Sequence, residues 1–192
     1  GPNVTAWNQM LHSLVYETLL GLHPTTLDYM PAVATHWQIS QDKRTFRFRI
    51  DPNARFSDGS AVTSEDIVAS WRLTVDKTLQ DPARTLMYSN FEPPAAESKY
   101  IVSVRAKTDN WQNFLYFSSL FVYPAAILKN LTGEAYVRDY NYKMLPGTGP
   151  YIVAEQDVDK GKAIRIRRRG DYWAEKHRRN VGTANFETIQ QM

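Results

Sequence analysis

The sequence predicts an α+β fold, because helical and strand patterns follow one another without regular alternation. Amphipathic helix spacing is clearest over residues 7–20 and again after Thr63. Strict alternation of apolar and polar side chains is clearest at Thr45–Ile50 and over residues 100–107. The 192 residues, 43% of them hydrophobic and 22% charged, are enough for one substantial domain or two small ones.

The first half of the chain begins with an amphipathic helix over residues 7–20, which Gly21 and Pro24 should end. Residues 32–37 form a short apolar stretch that could be helix or strand. Thr45–Ile50 should form a half-buried strand, and the turn that follows contains Gly59, which can take positive φ. Thr63 is the predicted N-cap of the next helix, with Asp66 at the third helical position.

The second half begins with a segment between Pro82 and Pro93 that the sequence predicts to be rich in loops. A strand over 100–107, an aromatic stretch at 114–123 and a short helix after Pro124 follow. Residues 139–143 should form a tyrosine-rich loop. A rigid turn at 146–151 then leads to a hairpin around 159–162, and residues 186–189 are a further candidate strand.

The composition argues against several classes of protein. The sequence contains no run of 18 apolar residues, so it predicts no membrane-spanning helix. The absence of cysteine excludes disulfides, thiolate metal sites and cysteine nucleophiles. None of the four histidines has a partner at metal-ligand spacing, and no serine lies in a G-x-S-x-G motif. We therefore expect no catalytic residues, no metal site and no cofactor.

Positive charge is concentrated in one segment. Residues 160–179 hold nine basic and two acidic side chains, whereas the whole chain has a net charge of only +3. A nucleic-acid-binding hypothesis depends on this segment alone. Because Arg165 and Arg167 alternate with isoleucines, a solvated face of an amphipathic strand is the favoured interpretation, and nucleic acid is not the expected partner.

Aromatic and polar residues share the predicted loop segments, a composition that suits a pocket for an amphipathic small molecule. From composition alone, ordinary core and loop packing is the favoured explanation of the same residues. The segments in question contain Tyr88, Asn90, Phe91, Phe117, Ser118, Ser119, Phe121 and Tyr123.

Three groups of motifs resemble one known family. They are Val15-Tyr16-Glu17 followed by residues 30–37, the Phe56-Ser57-Asp58-Gly59 turn within 45–68, and Gly147-Thr148-Gly149-Pro150-Tyr151 with Asp171-Tyr172-Trp173. Together they resemble the oligopeptide/dipeptide-type substrate-binding proteins of ABC transporters, solute-binding family 5. Residues 180–189 are most similar to the YejA-like subgroup of peptide-binding proteins.

The resemblance implies a mixed sheet with flanking helices, as in the first lobe of a type II periplasmic-binding-protein-like fold. It covers residues 1–192 as a partial N-terminal lobe, so the second lobe is expected to lie outside this chain. The implied function is capture of peptides or similar solutes in the periplasm or outside the cell, and their delivery to a membrane permease. The implied protein is not an enzyme.

The resemblance also places the ligand contacts of the first lobe near two segments. The residues implied to bind ligand are Tyr88, Asn90, Ser118, Ser119 and Phe121. The GTGPY and DYW motifs are expected to be structural, with Trp173 packed beneath the turn.

Two alternative functions stay open. One is an interaction module that docks to a permease or self-associates through the surface facing the second lobe. The other is nucleic-acid binding through residues 160–179.

Overall fold

A computed structural model of the chain describes residues 6–140, 143–160 and 162–191. The helices are α1 (Ala6–Val15), α2 (Ser64–Thr74), α3 (Pro82–Tyr88), α4 (Gln112–Ser118), α5 (Ala125–Leu128) and α6 (Gly133–Tyr140). The strands are β1 (Leu20–Leu22), β2 (Tyr29–Pro31), β3 (Ala34–Ile39), β4 (Thr45–Ile50), β5 (Ala95–Ser98), β6 (Ile101–Arg105), β7 (Tyr151–Ile152), β8 (Val158–Asp159), β9 (Ala163–Arg168) and β10 (Thr188–Gln191).

The main sheet is antiparallel, with its four strands in the order β3-β4-β6-β5. The alternation in β4 and β6 was predicted, and it sends Phe46, Phe48, Val102 and Val104 into the core. Phe114 from α4 stacks on Phe48 with the ring centroids 5.7 Å apart. The sheet therefore buries one face under α4 and leaves arginines of β4 on the other.

A second sheet has the order β10-β9-β7, with β8 also paired to β9. This confirms the predicted hairpin into residues 163–167 and the predicted strand near Ile189. Gly161, which the sequence predicts to lie in the hairpin turn, is outside the described residues. β1 and β2 form a separate antiparallel pair.

The first helix is shorter than the sequence predicts. α1 ends at Val15, and Leu20 begins β1 instead of closing the helix. The carbonyl of Val15 accepts a hydrogen bond from Gly149 N at 2.8 Å, and Glu17 O accepts one from Val122 N at 3.2 Å. Backbone groups that would continue the helix are thus paired with distant segments.

Two predicted loops contain helix. α3 lies inside the segment between the prolines, where Asp81 Oδ1 accepts a hydrogen bond from Arg84 N and Pro82 occupies the first turn. α6 extends to Tyr140, so part of the predicted tyrosine-rich loop is helical, and residues 141–142 lie outside the described ones. The apolar stretch at 32–37, left open by the sequence, enters β3.

Candidate functional site

Tyr88 ends α3 and is almost completely buried, with 5% of its surface exposed. Its hydroxyl donates a hydrogen bond to the carbonyl of Tyr116 in α4 at 2.9 Å. Burial raises the pKa of the Tyr88 hydroxyl above its usual value, so the group stays protonated at neutral pH. Tyr88 therefore joins α3 to α4.

Asn90 takes part in a closed network of side-chain amides. Its Nδ2 donates to Asn113 Oδ1 at 2.8 Å, and its Oδ1 accepts from Thr108 Oγ1 at 2.9 Å. Asn113 in turn donates to the Thr108 carbonyl at 2.8 Å. The network fixes the loop after α3 against α4.

Ser118 and Ser119 lie at the C-terminal end of α4, and both hydroxyls donate to the Leu115 carbonyl, at 2.9 and 2.8 Å. They differ in accessibility, because Ser118 is 1% exposed and Ser119 faces solvent. Of the two, only Ser119 can meet a solute without rearrangement.

Phe121 lies on the other side of α3, between α3 and α1. Its ring centroid is 5.6 Å from that of His12 and 5.6 Å from the guanidinium carbon of Arg84. The structure thus gathers four of the five predicted residues around α4, while Phe121 belongs to a neighbouring group. Phe121 itself is half-buried.

We call this group the arginine–aromatic cluster, and it consists of His12, Arg84, Phe121, Tyr123 and Tyr136. Tyr123 is 5% exposed, and its ring lies 4.8 Å from that of Tyr16 beneath the cluster. Burial raises the pKa of Tyr136 to about 12, with the Arg84 charge acting in the opposite direction. The tyrosines therefore remain neutral hydrogen-bonding groups around one guanidinium.

His12 is held in its neutral form. Burial, followed by the positive charge of Arg84, lowers its pKa from 6.5 to about 4. Its Nδ1 lies 3.4 Å from the Tyr123 hydroxyl. The sequence showed only that His12 has no partner at metal-ligand spacing, and it did not single out Arg84. The Asp81-Pro82 helix start was the signal that could have placed Arg84 on a helix.

A second assembly, the Glu17 cluster, consists of Glu17, Thr148, Tyr172, Trp173 and Arg179. Glu17 accepts hydrogen bonds from Tyr172 Oη at 2.7 Å, Trp173 Nε1 at 3.1 Å and Arg179 Nη2 at 2.8 Å. Glu17 N donates to Thr148 Oγ1 at 2.9 Å. Burial raises the Glu17 pKa, and Arg179 counteracts that rise.

The Glu17 cluster supports the expectation that GTGPY and DYW are structural. Trp173 Nε1 also donates to the Thr148 carbonyl at 2.9 Å, which places the indole against the turn as predicted. The buried Arg169 donates to the carbonyls of Gly147 and Gly149, at 3.3 and 3.4 Å. Motifs far apart in sequence thus meet in the interior.

The basic segment is extensively paired. Among its described residues, at least five of the nine basic side chains form ion pairs: Lys162 with Asp159, Arg167 with Asp157, Arg168 with Glu187, Arg169 with Asp171, and Arg179 with Glu17. Pairing leaves less positive charge available to a polyanion than the sequence suggests.

Across 6–140, 143–160 and 162–191, no group of three or more histidine and acidic side chains is arranged to hold a metal ion. In the same ranges, no helix combines the length and apolar character needed to cross a membrane.

Comparison with known proteins gives one consistent family. The model for bacterial extracellular solute-binding proteins, family 5 (middle), matches residues 28–192. The chain is 28% identical over 184 residues to the probable peptide-binding protein YejA of Agrobacterium fabrum, covering 92% of this chain and 29% of that protein. It is 26% identical over 198 residues to the periplasmic oligopeptide-binding protein OppA of Haemophilus influenzae, covering 93% of this chain and 35% of that protein. The chain thus spans about a third of the length of these relatives.

Solved structures of periplasmic binding proteins have a fold similar to that of this chain. AppA, an oligopeptide-binding protein of Bacillus subtilis in complex with a nonapeptide, aligns with a TM-score of 0.78 at 18% identity, over 89% of this chain and 34% of that one. Haemophilus influenzae OppA in complex with RPPGFSPFR aligns with a TM-score of 0.70 at 25% identity, over 86% and 34% of the two chains. The fold predicted from the sequence, a mixed α+β lobe of the periplasmic-binding-protein type, is confirmed.

Proposed function

The chain belongs to the bacterial extracellular solute-binding proteins, family 5, and from that membership we propose that it forms one wall of the ligand cleft of an ABC importer's binding protein. The observation that carries the proposal is the family match over residues 28–192, which includes the α3–Phe121 region and the GTGPY and DYW motifs. The proposed mechanism is capture and release, with no chemical step, and the proposed location is the periplasm or the cell exterior.

Peptides are the proposed class of solute. The relatives YejA and OppA carry peptide-binding names, and the two aligned structures hold peptides. In this chain, half-buried aromatic side chains and Ser119 offer the apolar surface and hydroxyl groups that a peptide needs. The ligand-contact role of Tyr88, Asn90, Ser118, Ser119 and Phe121 is part of this proposal.

The first experiment is calorimetric titration with pooled peptides of about two to nine residues, for which a cleft buries most of the ligand. The longest natural form of the protein that contains these 192 residues should bind members of the pool at micromolar concentrations or below. The 192-residue chain by itself should bind far more weakly, because a cleft formed between two lobes buries the ligand on both sides. The absence of peptide binding by the longer form would contradict the proposal.

A membrane permease is the proposed protein partner, and self-association through a lobe-facing surface is a further prediction. Exposed apolar side chains that could take part include Trp111, which is 82% exposed, and Leu86, which is 78% exposed. Sedimentation velocity over about a hundredfold range of concentration tests self-association, which should appear as a rising average mass. A constant monomer mass would contradict it.

A further inference from the structure

Arg84 has an unusual environment among the arginines of the described chain. Its side chain is 33% exposed, and its guanidinium carbon lies 5.6 Å from the centre of the Phe121 ring. The surrounding side chains of the arginine–aromatic cluster are uncharged rings. A cation beside such surfaces interacts more strongly with an anion than it would in bulk water.

Within the part of the chain that the structure describes, Arg84 forms an ion pair with Asp81, whose Oδ2 lies 3.6 Å from Arg84 Nε, a distance longer than a hydrogen bond. The other oxygen of Asp81 caps α3. By contrast, Arg167 and Arg179 have carboxylate oxygens at 2.6 and 2.8 Å. Arg84 thus retains donors for another acceptor.

The neighbouring groups do not compete for an anion. His12 is neutral at pH 7, so it adds no second positive charge. Its Nδ1 lies 3.4 Å from the Tyr123 hydroxyl, which also accepts a hydrogen bond from Arg84. Phe121 remains half-exposed next to the guanidinium, as apolar surface for the part of a ligand adjoining its anionic group.

We propose that Arg84 binds a carboxylate of the captured solute while Phe121 contacts the apolar part next to it. The proposal rests on the proposed function and specifies the ligand chemistry of that cleft wall. A planar guanidinium can donate two parallel hydrogen bonds to one carboxylate, which gives orientation as well as affinity. In a peptide this carboxylate is either the C-terminus or an acidic side chain.

The test uses a peptide found to bind the longest natural form of the protein. Its affinity is compared with that of the C-terminally amidated peptide, and with that of versions in which each Asp or Glu is replaced by Asn or Gln. One of these changes should weaken binding by about 10- to 100-fold, as expected for hydrogen bonds to a charged group. The affected version identifies which carboxylate is bound.

The same pair of peptides is then measured on variants. Arg84→Gln should reduce the difference in affinity between the two peptides to less than about threefold. Arg84→Lys should retain part of that difference because the charge remains. Arg49→Gln removes the same charge from the exposed side of β4 and should leave the discrimination unchanged. Thermal unfolding confirms that each variant is folded.

The outcomes separate the two proposals. If no peptide binds the wild-type protein, the proposed function fails, and this inference fails with it. If peptides bind but neither modification alters the affinity, or if Arg84→Gln keeps the discrimination, only the role of Arg84 is overturned. Should Arg84→Gln not fold, the wild-type comparison and Arg84→Lys still decide.

Discussion

Gly149 shows how one missing side chain permits a close approach of two backbones. A Cβ atom at this position would lie 2.6 Å from the Leu14 carbonyl oxygen and 2.8 Å from that of Val15. Gly149 N donates to the same Val15 carbonyl at 2.8 Å, so the backbone cannot retreat without losing that bond. The glycine is therefore required by space at the end of α1.

We expect Gly149→Ala to lower the free energy of unfolding by about 1–3 kcal/mol, the usual cost of overpacking a buried site. Urea denaturation measures the change. Gly170→Ala is the matched control, because a Cβ there would meet no atom within 4 Å. Equal effects of the two substitutions would show that the contact with α1 is not what requires glycine at 149.

His12 should make stability depend on pH. Its pKa falls from 6.5 to about 4 on folding, so the unfolded chain binds the proton more tightly. Stability from this group is complete above about pH 6.5 and is lost as the pH falls toward 4, by up to about 3 kcal/mol.

The measurement is the difference in the free energy of unfolding between wild type and His12→Gln from pH 4 to 7.5. We expect this difference to change across the interval in the direction just derived. A difference for His12→Gln that does not change with pH would mean that His12 is protonated equally in both states.

At the scale of elements, the sequence predicts well where a local pattern determines the structure. Thr45–Ile50 alternates strictly and forms β4, and Thr63 with Asp66 begins α2. The predictions failed where tertiary pairing prevails. Helical spacing continues to Leu19, yet α1 ends at Val15 because Gly149 binds its last carbonyl. No local pattern contains that information.

The candidate site was predictable in part for the same reason. Aromatic and polar residues near Tyr88 and Phe121 were identified from composition and family resemblance. The sequence could not show that Arg84 faces Phe121, since the two lie on separate elements brought together by packing. It also gave no indication that α1 would carry His12 into the same cluster.

Asp66 links two helices, and this gives a prediction about elements. Its Oδ2 accepts a hydrogen bond from Thr63 N at 2.6 Å, at the start of α2, and its Oδ1 accepts one from Ala125 N at 2.6 Å, at the start of α5. Asp66→Ala should cost about 2–3 kcal/mol of unfolding free energy, more than a single cap, because both helix starts lose a partner. Chemical denaturation measures this change in the free energy of unfolding.

The control is Glu65→Ala, which removes an exposed acid from the same first turn and should cost less than about 1 kcal/mol. A similar cost for Asp66→Ala and Glu65→Ala would contradict the role of Asp66 at both helix starts.

For the whole molecule, the pairing of the basic segment bears on nucleic-acid binding. Because at least five of the nine basic residues are in ion pairs, we expect the chain to show no binding of a DNA duplex tighter than about 10 µM at about 150 mM salt. Fluorescence anisotropy with a labelled duplex at several salt concentrations tests this. Tight binding that falls steeply with salt would instead favour the nucleic-acid alternative.

The Glu17 cluster ties the end of α1 to a segment more than 150 residues away, so its loss should affect the whole molecule. Removing one partner of a buried ion pair leaves the other charge without compensation, which typically costs about 3–5 kcal/mol. The side chains of Glu17 and Arg179 are 12% and 15% exposed, and Arg179 Nε has no hydrogen-bond partner among the described residues. Glu17→Gln keeps the shape of the side chain and removes its charge. We therefore expect a loss of about 3 kcal/mol in the free energy of unfolding and release of the segment that contains Tyr172 and Trp173.

Hydrogen exchange of residues 169–180 measures the release of the segment, and urea denaturation measures the loss of stability. Glu187→Gln removes the partner of Arg168 at an 85% exposed position and should change neither. If exchange in 169–180 stays protected in Glu17→Gln, the segment is held by its apolar contacts and not by this ion pair.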